Sequence, residues 1–92
     1  MKLIEHFIQG KKYSGDSKRV GKVFNPATGE QSAEVKLASL NDVDKAISSA
    51  KDAFNEWSKK PPLQRARVMF KFKELIEKNA DELTKIIVSE HG

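Results

Sequence analysis

Ser32-Ala33-Glu34-Val35-Lys36-Leu37-Ala38-Ser39-Leu40-Asn41-Asp42-Val43 is the stretch in which the chain changes its hydrophobic period. Ala33, Val35 and Leu37 alternate with Ser32, Glu34 and Lys36, the period of two expected of a strand with one buried face. From Ser39 onward the alternation is lost. Ser39 followed three residues later by Asp42 matches a capping box, in which the two side chains satisfy two of the orphan amides that open a helix. Val43, Ala46, Ile47, Ala50, Phe54 and Trp57 then fall on one helical stripe, with Asp44, Lys45, Asp52 and Asn55 displaced from it. A strand that turns directly into an amphipathic helix divides the molecule: residues 1–38 are predicted to be strands and turns, and residues 39–92 helical.

Upstream of this junction, Gly10, Gly15, Gly21 and Gly29 punctuate short apolar runs. Leu3–Gln9 and Lys11–Tyr13 flank Gly10 as a hairpin, with Gly10 supplying a positive φ. Arg19–Phe24 is the next strand. Pro26 ends it, because proline donates no ladder hydrogen bond and turns Asn25 away from helix, and Asn25–Gly29 forms a turn. The expected sheet is a short antiparallel meander. Downstream, Pro61-Pro62 closes the first helix and opens a second, proline being tolerated in a first turn. The second helix runs from about Pro62 to Lys78 with Ala66, Met69, Phe70 and Ile76 on one side, while Val68, Phe72 and Leu75 widen its apolar arc. Asn79 with Glu82 is another start signal, and Leu83, Ile86, Ile87 and Val88 give a third helix that either breaks from the second or continues it. Glu74 with Lys78 and Asp81 with Lys85 are i,i+4 pairs in the favourable order. The fold class is therefore α+β: a small meander followed by two to three helices, in a single or partial domain.

Ninety-two residues leave no room for a second domain, and at this size a monomer has little margin of stability unless it associates. The chain has no cysteine, which excludes a disulfide framework, a thiolate zinc site and a thiol nucleophile. The formal charge of +4 is too mild to identify an anionic partner. Met1–Gly10 carries Glu5 and His6 among its apolar residues, unlike a signal or transit peptide, and Ile86-Ile87-Val88 is far short of a membrane span; a cytoplasmic location is expected.

No catalytic, cofactor-binding or metal-binding residue is assigned from these patterns. The basic run Lys59, Lys60, Arg65, Arg67, Lys71 and Lys73 surrounds Phe70 and Phe72 and contains no acid, as a nucleic-acid surface would. Yet cations between core-facing aromatics ordinarily mark the solvated face of a helix, and that reading is preferred. His6 and His91 lack a second ligand at metal-binding spacing and are read as structural or surface residues. The four glycines never approach the spacing of a dinucleotide loop.

In order along the chain, Asn25-Pro26-Ala27-Thr28-Gly29-Glu30, a strand, a helix ending Phe54-Asn55-Glu56-Trp57, Arg65 and Arg67 on a further helix, and Glu90-His91-Gly92 resemble the N-terminal segment of the aldehyde dehydrogenase superfamily. His6-Phe7-Ile8-Gln9-Gly10-Lys11 and Arg65-Ala66-Arg67-Val68-Met69-Phe70-Lys71-Phe72-Lys73 are similar to its CoA-acylating methylmalonate-semialdehyde dehydrogenase branch. The resemblance implies a fragment of a coenzyme-binding domain in an enzyme that oxidises methylmalonate or malonate semialdehyde. NAD and coenzyme A serve such an enzyme, and the reaction passes through a cysteine thiohemiacetal and a thioacyl enzyme. It also implies that the nucleophilic cysteine, the general-base glutamate, the oxyanion-hole asparagine and the nucleotide-contacting glycines lie downstream of Gly92. This chain then has a scaffolding role, no cofactor and no activity of its own, and it associates with itself through its helical faces. A glycine directly after an apolar helix normally leads into further structure, which favours a truncated piece over the alternative, a stand-alone module that binds a protein or, less readily, a nucleic acid.

Overall fold

The computed structural model describes residues 1–92. In chain order the elements are β1 (Lys2–Ile4), β2 (His6–Ile8), β3 (Lys11–Tyr13), β4 (Val20–Phe24), β5 (Gln31–Lys36), α1 (Leu40–Trp57), α2 (Pro62–Lys78) and α3 (Ala80–His91). The α+β class and the change from strand to helix at Ser39 are as the sequence pattern requires.

The strands depart from a single antiparallel meander in two ways: β3 and β4 do not pair, so the strands form two sheets, and one pairing is parallel. β4 and β5 pair antiparallel, with Gly21 opposite Val35 and Val23 opposite Ala33, and β2 and β3 form a separate antiparallel hairpin with His6 opposite Tyr13. The run Leu3–Gln9, however, is divided at Glu5. The hairpin uses only His6–Ile8, because β3 has no residues to pair with anything earlier. Lys2–Ile4 instead satisfies its backbone groups on the free edge of β5, in parallel, with Lys2 opposite Ala33 and Ile4 opposite Val35. A parallel partner requires a long crossover connection, and β2, β3 and β4 supply it. Alternating hydrophobicity carries no information about strand direction, so this pairing was invisible in the sequence.

The turns behave locally as expected. Gln9 and Gly10 have φ of 57° and 75°, both positive, as a two-residue hairpin turn matching the strand twist demands. In Asn25–Gly29 the Asn25 side chain accepts from the Ala27 N–H (2.9 Å), the Asn25 carbonyl accepts from the Gly29 N–H (2.8 Å), and the Asn25 N–H donates to the Glu30 carbonyl (2.9 Å).

α1 opens with the full capping box. The Ser39 hydroxyl accepts from the Asp42 N–H (3.0 Å), and the Asp42 carboxylate accepts from the Ser39 N–H (2.9 Å). Pro62 begins α2. The chain does break between α2 and α3, at Asn79, but not through the expected Asn79–Glu82 box. The Asn79 side chain donates backward to the Leu75 carbonyl (2.7 Å), so it closes α2 and leaves α3 without a side-chain cap. The helical ion pairs also differ: on α2 Lys71–Glu74 (3.5 Å) and Lys73–Glu77 (3.4 Å) form, and the anticipated Glu74–Lys78 pair on α2 and Asp81–Lys85 pair on α3 do not.

The elements are spread into a slab of 48 × 34 × 16 Å with a radius of gyration of 16.9 Å, against about 12 Å for a compact domain of this length. Ala33 and Asp42 are the only fully buried residues. The accessible surface is 7740 Å², roughly 2,400 Å² more than the ~5,400 Å² of a compact monomer of this mass. Ile47 and Phe54 on the α1 stripe and Phe70 and Phe72 on α2 are exposed. A slab one element thick lacks the second layer that closes an ordinary domain core.

Candidate functional site

The densest set of polar contacts gathers around Asp42 at the start of α1. Its carboxylate, 2% exposed, accepts from the Ser39 N–H (2.9 Å) and the Asp16 N–H (3.3 Å). His6 Nε2 lies 3.8 Å from its Oδ2, too far for a hydrogen bond, and is buried without a hydrogen-bond partner. The Tyr13 ring stands 6.4 Å from His6, and Lys45 Nζ sits 4.0 Å above it. Asp16 in turn accepts from the Asn41 side chain (3.1 Å). Contributions from β2, β3, the loop after β3 and α1 thus meet on one carboxylate, and Gly15, with φ of +75°, allows the close approach. A Cβ there would stand 2.5 Å from Asp42 Oδ2.

The electrostatics follow from these contacts. The Ser39 N–H bond, against the opposing effect of burial, holds the Asp42 carboxyl below its ordinary value of 3.8, with smaller contributions from the Ser39 side chain, the Asp16 amide and the Tyr13 hydroxyl. Desolvation, followed by the charge of Asp42, pushes Tyr13 above 10.0. A carboxylate whose oxygens already accept from two backbone amides is a poor general base, and the occluded His6 Nε2 is out of a substrate's reach. The cluster acts as a latch that ties the hairpin to the N-terminus of α1. The sequence marked Asp42 only as a capping residue, since its partners His6 and Asp16 are 36 and 26 positions away. Gly15, which serves no hairpin turn, was the one available hint of a close approach.

An apolar cleft of about 310 Å³ opens beside the latch, lined by Phe7, Ile8, Val43, Ala46 and Ile47 with His6 and Asp42 at its edge. His91 is the last residue of α3, whose Ile86 and Glu90 border a second cleft together with His6, Phe7 and Lys12. No group of three or more His, Cys, Asp or Glu side chains is placed to hold a metal ion, and no helix is long and apolar enough to cross a membrane.

Of the basic run, Lys59 and Lys60 lie in the α1–α2 turn, and Arg67, Lys71 and Lys73 are exposed on α2. Lys71 and Lys73 are ion-paired with glutamates one turn onward. Arg65 is half-buried, with its Nε given no acceptor. Acids absent from the run in sequence therefore reach it in space, which reduces its net field. The expected result is no micromolar binding to DNA or RNA near physiological salt, where counterion release contributes less than at low salt. Fluorescence anisotropy would check it, and micromolar binding at that salt, abolished by Arg65→Glu with Arg67→Glu, would reverse the assignment.

Comparison with known proteins places this arrangement in a family. The model of the aldehyde dehydrogenase family matches residues 13–92. The malonate-semialdehyde dehydrogenase of Halalkalibacterium halodurans is 42% identical over 89 residues, 97% of this chain and 18% of that protein. The Pseudomonas aeruginosa enzyme of the same name is 41% identical over 92 residues, 100% of this chain and 18% of that protein. The whole chain superposes on a structure described as a methylmalonate-semialdehyde dehydrogenase of Sinorhizobium meliloti 1021 complexed with NAD, with a TM-score of 0.97 and 46% identity over 19% of that chain. It also superposes on the methylmalonate-semialdehyde dehydrogenase of Oceanimonas doudoroffii with a TM-score of 0.95 and 50% identity, again over 19% of that chain. The chain spans about a fifth of the length of these relatives. With the family model matching residues 13–92, and relatives above 40% identical and a superposition that covers the whole chain, this chain belongs to the aldehyde dehydrogenase family, as an N-terminal segment similar to the malonate- and methylmalonate-semialdehyde dehydrogenases.

Proposed function

We propose that this chain is the N-terminal scaffolding segment of an NAD-dependent, CoA-acylating methylmalonate- or malonate-semialdehyde dehydrogenase and performs no chemistry in isolation. The observation that carries this reading is the superposition of all 92 residues, at a TM-score of 0.97, on about a fifth of a chain described as such an enzyme. The covalent route implied for the enzyme needs a thiolate to attack the aldehyde, and the sequence contains no cysteine.

NAD accepts the hydride in such an enzyme, but the residues of this chain do not fit that cofactor. A dinucleotide pyrophosphate binds where a glycine-rich turn leads from a strand into a helix and the helix amides are free. The one strand-to-helix junction here, β5 to α1, reads Leu37-Ala38-Ser39 without glycine. Two of its amides are taken by the capping box, and the Asp42 carboxylate occupies the place an anion would take. What these residues do is hold one another: the latch orients the hairpin, and the helices present apolar faces to whatever lies against them.

The test exchanges residues 1–92 for the matching segment of the Oceanimonas doudoroffii enzyme and follows NADH formation from the semialdehyde with NAD and coenzyme A. The chimera is expected to keep activity within about tenfold of the parent, and the 92-residue chain alone to give none above a buffer blank. A folded but inactive chimera, or turnover by the isolated chain after removal of trace host dehydrogenase, would refute the proposal.

A further inference from the structure

We draw no further inference here: the strongest candidate, the apolar cleft between β2 and α1 with the unpartnered His6 Nε2 at its edge, carries nothing, because His6 belongs to the latch already described and nothing in the structure shows what covers the apolar walls.

Discussion

Gly15→Ala is expected to destabilise the junction between the hairpin and α1 by about 3 kcal/mol, combining roughly 1–2 kcal/mol for a side chain in the left-handed region with the displacement of a buried group. Gly10, Gly15 and Gly29 all have φ of +75°, so the backbone penalty is common to the three. Their surroundings differ. A Cβ at Gly10 or Gly29 meets nothing within 4 Å, whereas at Gly15 it would stand 2.5 Å from Asp42 Oδ2 and 2.9 Å from Cγ and Oδ1. Asp42 cannot move aside without giving up the Ser39 and Asp16 amides. Gly10→Ala and Gly29→Ala should therefore cost only the backbone penalty, and Gly15→Ala distinctly more. Native-state amide exchange at Ser39 and Asp16 measures this directly. Protection there should fall in Gly15→Ala while the β4–β5 amides keep theirs, and equal losses in all three variants would show that the latch does not constrain the junction.

The same carboxylate sets an acid limit. Because the folded-state value of Asp42 is depressed, its contribution is complete above its ordinary 3.8 and is lost as pH falls through the lower folded value. Tyr13 has the opposite sense: its value is raised, so its contribution is complete below 10.0 and is lost as pH rises through the folded value. Loosening the latch with Gly15→Ala should blunt the acid sensitivity, which a pH series of the Ser39 exchange rate would register.

The second large effect concerns the chain on its own. With no occupant on its helical faces, it is expected to self-associate at tens of micromolar, since soluble monomers rarely carry apolar patches above a few hundred Å². A two-fold dimer pairing α2 and α3 is the simplest closed arrangement. Phe72→Glu should then raise the dissociation constant about 100-fold or more, because an unpaired charge in a dry interface costs several kcal/mol. Sedimentation velocity decides. A monodisperse monomer with a sharp unfolding transition would mean that the chain covers its own apolar surface, contrary to the open slab described above.

What the sequence determined by itself are the features governed by neighbours along the chain. The change of period at Ser39, the capping box with Asp42, the positive φ at Gly10, the Asn25–Gly29 turn and the proline start of α2 each involve residues within a few positions, where sterics and hydrogen bonding leave few choices. Asn79 marks the limit of such reasoning. Its side chain had two local partners of similar chemistry, and it closes α2 where it was expected to open α3. The parallel pairing of β1 with β5 and the assembly of His6, Tyr13 and Asp16 around Asp42 came only from the tertiary structure. Both join residues some 26 or more positions apart, through backbone edges and a carboxylate that carry no periodic signature. The exposure of the α1 and α2 faces also required the three-dimensional arrangement. A helical stripe shows that a residue seeks burial, but whether anything is there to cover it depends on where the other elements lie in space.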